Sequence, residues 1–344
     1  MVWAISEYSK KVVMRAGETL IDELSTEDEI SKAMDILSNW RAAHAYPMHS
    51  VLMTLRGQVK NVDEKAVVVQ RLKRTPSIFG KLKRFPDMKL HRMQDISGCR
   101  AILNLVRDVE RLDVQIRESR TQHKLHNFHN YIAEPKASGY RGIHLVYKYN
   151  GKKVEYQDYF VEIQLRSKIQ HAWATAVEIV DTFTKQALKT SRGNQDWLDF
   201  FIYASAEFAK LEKRPIGPIP EGIDSLVEAK RLAKKLNVIV KLNAFAVTAD
   251  YITKKHDGKT DYFLLELTDH ATKIQVSQYP TARFDAATKA YAEREKQAKV
   301  DLTYDVVLVA ASSMHALKSA YPNYFADSKD FLKYIRRVIE PAIG

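Results

Sequence analysis

Residues 161–166 read Val-Glu-Ile-Gln-Leu-Arg. Side chains alternate across a β-strand, so the three apolar residues of this stretch face one side and the three polar residues face the other. The polar row is Glu162, Gln164 and Arg166. Such a strand is either half solvated or lines a polar cleft. The stretch therefore predicts a sheet with one buried face and with a carboxylate, an amide and a guanidinium on its other face.

The segments on both sides of this strand predict an α+β fold, a mixed sheet flanked by helices. Strands are expected at 99–106 and 143–149, and an amphipathic helix lies between them at 107–119. Asn150-Gly151 is a strong hairpin signal, which predicts that the second strand returns directly as a strand over 154–166.

Much of the remaining N-terminal part of the chain is predicted to be helical. Apolar residues recur at helical spacing within residues 1–56, Pro47 interrupts the pattern, and a further helical stretch runs from about His49 towards Val69. Two more helices are expected at 167–184 and at about 196–211.

A second, smaller α+β domain is expected after the proline- and glycine-rich run KRPIGPIPEG at 213–222. Its predicted helices are at 224–236, 282–299 and 328–339, and its predicted strands at 238–252, 261–268, 272–279 and 305–311. We therefore expect a first domain over 1–212, a linker and connecting helix over 213–237, and a C-terminal domain over 238–344.

Composition narrows the class of protein. The 344 residues include 54 Lys and Arg against 42 Asp and Glu, a net charge of +12, which favours phosphate-rich partners such as nucleotides or RNA. A basic, solvated surface is the plain alternative. The single cysteine, Cys99, excludes an internal disulfide and a thiolate metal cluster. The chain begins with a polar segment and has no apolar run of membrane-spanning length, so we expect a cytoplasmic protein.

A second carboxylate stands out in the stretch RMQDISGCR at 92–100. Asp95 lies just before a predicted strand, between Arg92 and Arg100, and strand ends are where ligands collect in mixed sheets. It is either a salt-bridged structural residue or a metal ligand. Two separated carboxylates, Asp95 and Glu162, suit magnesium, which takes its other oxygens from water and substrate phosphates.

The stretch ASGYRGIHLVY at 137–147 carries an aromatic residue beside a cation. Two glycines flank Tyr140 and Arg141, so an exposed tyrosine there suits stacking on a base and the arginine suits a phosphate. A tyrosine packed in the core is the alternative. His144 points away from the apolar face of its strand, which fits either a polar cleft or a structural histidine.

The basic stretch RLKRTPSIFGKLKR at 71–84 offers what a triphosphate needs. Its cations can neutralise phosphate charge, Ser77 can donate to an oxygen, and Pro76-Ser77 suits a helix start whose N–H groups face an anion. The cations concerned are Arg71, Lys73, Lys81 and Arg84. A solvated basic helix is the alternative, and no Walker loop is present in the sequence.

These four segments, in this order and spacing, resemble the synthetase domain of RelA/SpoT-type alarmone enzymes, a nucleotidyltransferase-like fold. The resemblance covers roughly residues 45–210 and implies transfer of the β,γ-pyrophosphate of ATP to a ribose 3′-hydroxyl. It implies that Asp95 and Glu162 hold magnesium and that Glu162 also accepts the hydroxyl proton. The implied ATP-binding residues are Arg71 and Arg100 at the adenine, with Lys73, Ser77, Lys81 and Arg84 at the phosphates. The implied acceptor-binding residues are Tyr140, Arg141, His144, Gln164 and Arg166.

The flanking segments NWRAAHAYP at 39–47 and AYPNYFADSKDF at 320–331 resemble the toxic small alarmone synthetases, in particular the fused toxin–antitoxin CapRel type. That resemblance implies pyrophosphorylation of the tRNA 3′ CCA end, which blocks translation as a defence against phage. It also implies a C-terminal domain, similar to a zinc finger without its ligands, that inhibits the enzyme until a phage capsid protein binds. Tyr321 and Tyr324 would be the inhibitory pair at the ATP site.

Three functions stay open on the sequence. The first is a tRNA pyrophosphokinase fused to its own inhibitor, and the second is an alarmone synthetase that uses GDP or GTP. The third is an inactive module that binds RNA or a nucleotide. The motifs do not separate the first two, because both use the same catalytic residues.

Overall fold

The computed structural model describes residues 3–187, 193–244, 262–268, 273–300, 304–310 and 324–340. The contacts within the chain divide it into two units. The first contains residues 1–131 and 142–167, and the second contains residues 132–141 and 168–344. This division groups the helices after residue 167 with the C-terminal part of the chain, so the expected domain limits at 212 and 237 stay a prediction.

Five helices belong to the first unit: α1 Lys10–Thr19, α2 Glu27–Ala43, α3 Ala45–Lys60, α4 Thr75–Arg84 and α5 Val106–Glu118. The predicted helical character of residues 1–56 is confirmed. A capping box fixes the start of α2, where the side chains of Thr26 and Glu29 each accept from the other's backbone N–H. Pro47 does not separate two helices. It lies in the first turn of α3, where a missing N–H costs no intrahelical bond.

The first unit contains a five-stranded sheet with the order β1-β2-β5-β4-β3. Its strands are β1 Val67–Leu72, β2 Ser97–Leu103, β3 Lys124–Asn130, β4 Ile143–Lys148 and β5 Phe160–Ser167. β2 runs parallel to β5, and every other neighbouring pair is antiparallel. The predicted mixed sheet is confirmed. The helix predicted to continue towards Val69 is wrong, because α3 ends at Lys60 and the edge strand β1 follows.

The connection between β4 and β5 is longer than the predicted Asn150-Gly151 hairpin. Pairing continues to Tyr149 and Tyr159, and a 3-10 turn over Val154–Tyr156 lies between these two tyrosines. Asp158, with a φ of 64°, adopts the left-handed backbone that closes the connection. The two-residue turn is excluded because Tyr149, Tyr156 and Tyr159 are all buried in the same hydrophobic cluster.

One face of this sheet is covered by helices α3 and α5. Cys99 on β2 lies against α3, since its thiol donates to the Met48 carbonyl at a distance of 3.6 Å. Ile163 and Tyr147 line the same side together with residues of both helices. Because side chains alternate, Glu162 and its polar neighbours lie on the opposite face.

The second unit contains α6 Lys168–Ala187, α7 Gly193–Glu212, α8 Ser225–Lys235, α9 Phe284–Val300 and α10 Tyr324–Ile339. Its antiparallel sheet has the order β7-β6-β8, with β6 Tyr262–Thr268, β7 Lys273–Tyr279 and β8 Asp305–Ala310. Phe263 and Leu265 of β6 join the core formed by α6, α7, α8 and α10, whereas Leu264 packs in a separate cluster with Ala287 of α9. The strands and helices of the C-terminal region give it the predicted α+β character.

The strand predicted over 238–252 is wrong for its described part, because residues 238–244 are helical. Val238 and Leu242 are fully buried one helical turn apart, so burial of one helix face outweighs the strand preference of the β-branched residues. Residues 245–252 lie outside the described part of the chain. Among the described helices, none has the length and apolar character needed to cross a membrane.

Candidate active site

The polar row predicted on β5 lies at the centre of the sheet face that α3 and α5 leave uncovered. Gln164 is opposite Arg100 of β2 on one side and opposite His144 of β4 on the other. The two residues next to Gln164 in the row are Glu162 and Arg166. Side chains directly opposite each other in a sheet approach within contact distance, so the register itself assembles this site.

Glu162 is held by two hydrogen bonds. His144 donates from Nδ1 to Oε1 at 2.8 Å, and Gln164 donates from Nε2 to Oε2 at 2.7 Å. Burial raises the pKa of Glu162, but the hydrogen bonds from His144 and Gln164 and the charge of Lys81 outweigh it and bring the pKa to about 2. Glu162 is therefore ionised at neutral pH and fixed in orientation, as a carboxylate ligand of a metal requires.

Gln164 connects this carboxylate with two arginines. Its amide oxygen accepts from Arg100 Nε at 3.2 Å and from Arg166 Nη2 at 3.3 Å, while its nitrogen donates to Glu162. These partners leave one orientation for the amide, because only the oxygen can accept from guanidinium groups. Arg100 was predicted at the adenine, whereas Gln164 and Arg166 were predicted at the acceptor. The structure joins all three in one network.

Asp95 lies between the 3-10 turn Leu90–Arg92 and β2, and two lysines hold it. Lys73 Nζ is 2.9 Å from Oδ2 and Lys81 Nζ is 2.9 Å from Oδ1. The charge of Lys81 also lowers the pKa of Glu162, so this one ammonium acts on both carboxylates. The salt-bridged arrangement foreseen for Asp95 is thus observed.

The salt bridges of Asp95 do not remove it as a metal ligand, because Lys73 and Lys81 are two of the cations predicted to bind phosphate. When a phosphate takes the lysines, the oxygens of Asp95 become available. No cluster of three or more His, Cys, Asp or Glu side chains within the described ranges could hold a metal by itself. Two carboxylates with substrate oxygens are nevertheless the donor set that Mg²⁺ uses in phosphoryl-transfer sites, so Asp95 and Glu162 fit this ion.

The remaining predicted ATP residues lie on β1 and α4. Arg71 is the register partner of Gly98, so it shares the face of Glu162. Ser77 lies in the first turn of α4 behind Pro76, the helix start that was predicted, and Arg84 is the last residue of that helix. Arg71, Ser77 and Arg84 are exposed. Their roles at the nucleotide stay predictions.

Tyr140 and Arg141 make their described contacts within the second unit. Arg141 is buried, and its Nε donates to Ser205 Oγ at 3.1 Å. The Tyr140 ring lies 6.4 Å from the ring of Trp173, and Lys136 Nζ lies 5.3 Å from its centroid. Tyr140 is partly buried and packs against the main hydrophobic cluster of this unit, as the alternative of a tyrosine packed in the core predicted. Their roles at the acceptor stay predictions.

Two aromatic residues next to the site were missed from the sequence. The Tyr131 ring meets His144 edge-on at 5.4 Å and stacks on His129 at 5.3 Å with an interplanar angle of 11°. His129 is the register partner of His144. The signal that could have found them is the alternation of His129 and Tyr131 at the end of β3, but the strand itself was not predicted. They place a stacked pair beside the histidine that orients Glu162.

Comparison with known proteins identifies the region that contains these residues. Residues 70–181, about a third of the chain, match the sequence family described as a region found in RelA/SpoT proteins. All residues of the network, from Lys73 to Arg166, lie inside this match. The GTP pyrophosphokinase YjbM of Bacillus subtilis (strain 168) is 35% identical over 111 residues. That alignment covers 31% of this chain and 52% of YjbM, so it spans about half the length of the relative.

Solved structures that are similar to this chain include small alarmone synthetase 1 of Bacillus subtilis bound to its product pppGpp. It is 25% identical, with coverage of 48% of this chain and 90% of that chain and a TM-score of 0.40. A GTP pyrophosphokinase family protein of Streptococcus pneumoniae is 26% identical, with coverage of 48% and 84% and a TM-score of 0.40.

Proposed function

We propose that this chain is a pyrophosphokinase that transfers the β,γ-pyrophosphate of ATP to the 3′-hydroxyl of a nucleotide. The observation that carries the proposal is a single hydrogen-bonded network. In it, His144 and Gln164 donate to Glu162, and Gln164 also accepts from Arg100 and Arg166. Asp95, with its two lysines, is coupled to this network through the charge of Lys81. The similarity of residues 70–181 to RelA/SpoT proteins supports the same reaction class.

In this proposal the protein acts by positioning and by electrostatics, which suffice for phosphoryl-type transfer. Asp95 and Glu162 would hold Mg²⁺, which would neutralise charge at the phosphate oxygens of ATP. Lys73 and Lys81 bind the phosphates, and Arg71 and Arg100 flank the adenine. The bond between the β-phosphorus and the oxygen that bridges it to the α-phosphate breaks, and AMP leaves. The acceptor hydroxyl gives its proton to Glu162, and its oxygen forms the new bond to the β-phosphorus.

The acceptor in the favoured version of this proposal is the CCA end of tRNA, and the product blocks translation. The net charge of +12 supports an RNA partner. GDP or GTP is the second candidate, supported by the relative YjbM, which is a GTP pyrophosphokinase. To decide between them, the activated protein is incubated with γ-labelled ATP, tRNA, GDP and GTP, and the labelled product is identified. Label on tRNA alone supports the first acceptor, and label on the guanine nucleotide alone rejects it.

The catalytic assignment is tested with Asp95→Asn and Glu162→Gln. We expect each variant to lose transfer while its thermal unfolding midpoint and circular dichroism stay near those of the wild type. Asp87→Asn and Glu155→Gln are matched controls, because both residues are exposed acids near the site in sequence. Transfer at the wild-type rate in either site variant would reject the two-carboxylate assignment. Nucleotide binding without transfer in any form of the protein would support the inactive module.

We further propose that the C-terminal region, 238–344, inhibits the enzyme until a phage capsid protein binds. Tyr321, one of the two predicted inhibitory residues, lies outside the described part of the chain, and Tyr324 is the first residue of α10. The double variant Tyr321→Ala, Tyr324→Ala should transfer pyrophosphate without a trigger. If it stays as inactive as the wild type while purified capsid protein activates the wild type, the tyrosines are not the inhibitory element.

A further inference from the structure

An aromatic and cationic cluster lies on the same sheet face as Glu162, at the start of β5. Phe160 precedes Glu162 by two residues, so the two side chains share a face about 7 Å apart along the strand. Lys148 of β4 is the register partner of Phe160, and its Nζ lies 5.6 Å from the ring centroid. The His126 ring lies 4.9 Å from that of Phe160, with an interplanar angle of 41°. We call these residues the Phe160 platform.

The position of His126 is set by an irregularity in β3. The register between β3 and β4 shifts between Leu125 and Asn127, and His126 is the residue left without a partner in the ladder. An extra residue of this kind redirects a side chain, and such bulges are common beside binding sites. Here it directs an exposed imidazole onto Phe160.

The platform is not part of the hydrophobic core of the unit. His126 is exposed, and Phe160 and Lys148 are half-buried. Aromatic and cation–π pairs across strands also stabilise sheets, so a purely structural role is the alternative. The two roles predict different results for substitutions. Loss of a structural pair lowers stability, whereas loss of a binding platform lowers the affinity for one class of ligand.

We propose that the Phe160 platform binds the nucleotide that precedes the reacting 3′-terminal nucleotide of a single-stranded RNA acceptor. An aromatic face stacks on any base, and a lysine beside it pairs with the adjoining phosphate. Tyr140 is predicted to stack on the base of the nucleotide whose hydroxyl reacts, so we assign the platform to a different nucleotide. That nucleotide lies on the 5′ side, because a 3′ end has no other neighbour. The inference rests on the proposed function of Glu162, and it assigns an RNA end rather than a free nucleotide as acceptor.

The test compares equilibrium binding of the ribotrinucleotide CCA and of the mononucleotides AMP and GDP by calorimetry, on the full chain. Phe160→Ala should weaken CCA binding about 5- to 140-fold, the range that follows from loss of one base stack, and should leave both mononucleotides unchanged. Phe160→Leu, which keeps apolar volume, should also weaken CCA. Lys148→Gln should reduce the slope of log affinity against log salt for CCA by about 0.7, because one phosphate contact is lost.

Phe128→Leu is the matched control. Phe128 lies on the same strand as His126 and has its own cation contact, with the Arg117 guanidinium carbon 4.9 Å from the ring centroid, but it lies on the opposite face. We expect this variant to bind all three ligands as the wild type does. A wild type that binds CCA no more tightly than AMP overturns the proposal. Equal losses for CCA and mononucleotides in Phe160→Leu, or a fall in unfolding temperature with no change in binding, also overturn it.

Failure of the inference differs from failure of the proposed function. If Glu162→Gln retains full pyrophosphate transfer, the proposed function fails whatever the platform binds. If Glu162→Gln loses transfer and the Phe160 variants lower neither CCA binding nor transfer to RNA, only the platform fails.

Discussion

The two lysines on Asp95 predict that metal binding and nucleotide binding depend on each other. Each oxygen of Asp95 is taken by an ammonium group, Lys73 at Oδ2 and Lys81 at Oδ1. A divalent cation must therefore displace them, whereas ATP phosphates attract the lysines away. Lys81→Met removes one of these competing charges and keeps a side chain of similar length. We expect it to bind Mn²⁺ or Mg²⁺ more tightly than the wild type does in the absence of nucleotide.

The size of this effect follows from the contact that is removed. Exposed ion pairs contribute little, but Lys81 and Asp95 are only 27% and 23% exposed, and a hydrogen bond between charged groups contributes about 1.5–3 kcal/mol. The lower end applies because solvent still reaches the pair and because Lys73 continues to hold Asp95. A change of about 1.5 kcal/mol corresponds to roughly tenfold tighter metal binding. The loss of a cation close to Glu162 acts in the same direction.

The assay is a titration with Mn²⁺ followed by electron paramagnetic resonance, with and without a non-hydrolysable ATP analogue. Without nucleotide Lys81→Met should bind Mn²⁺ about tenfold more tightly, and it should bind the analogue more weakly because a phosphate ligand is lost. Lys83→Met is the control, since Lys83 is an exposed lysine on the same helix. Asp95→Asn should lose metal binding. Unchanged or weaker metal affinity in a folded Lys81→Met protein refutes the reasoning.

Three further predictions concern stability and reactivity. His44 is fully buried and burial lowers its pKa to about 4, so the unfolded chain takes up its proton first as the pH falls. In urea unfolding, the contribution of His44 to the free energy of unfolding should stay constant above pH 6.5 and fall by up to about 3 kcal/mol between pH 6.5 and 4. The His44→Gln variant should not show this fall. Burial raises the pKa of the Cys99 thiol to about 12. Iodoacetamide at pH 8 should therefore label this thiol only after urea is added. Rapid labelling of the native protein would contradict the burial of Cys99. Gly17→Ala should lower stability by about 1–3 kcal/mol, because its Cβ would lie 2.6 Å from Leu90 Cβ, whereas Gly57→Ala meets nothing within 4 Å and should be neutral or stabilising.

The central strands of the sheet could be predicted because each is buried on at least one face. β2 is almost wholly buried, and β5 alternates buried and half-exposed residues, the two patterns that identify strands from sequence. The edge strands β1 and β3 were missed for the converse reason. All residues of these two strands are exposed or half-buried, so neither strand shows the alternation of buried and exposed residues. Pairing with β2 and β4 makes them strands, and this information lies elsewhere in the chain.

Each residue of the network around Glu162 was named as a site residue from the sequence, but the connections among these residues could not be predicted. The sequence places Glu162, Gln164 and Arg166 in one row by alternation alone. It contains no information on which residues of β2 and β4 stand opposite that row, because a shift of one residue in register would replace Arg100 and His144 with apolar neighbours. The bond from Arg100 to Gln164 is likewise a result of register, whereas the bond from Arg166 to Gln164 joins two residues of the same strand. The same limit hid Tyr131, whose contact with His144 requires β3 to be paired.

The charges of the assembled network indicate which class of ligand it binds. Two carboxylates, Asp95 and Glu162, are surrounded by the cations Lys73, Lys81, Arg100 and Arg166, and all six are partly or wholly removed from solvent. An excess of positive charge in such a place opposes folding unless an anion completes it. A divalent cation alone would increase the excess, whereas a triphosphate carrying its Mg²⁺ would reduce it. The network therefore favours the metal–nucleotide complex over either partner alone, which is the dependence that the Lys81→Met titration measures.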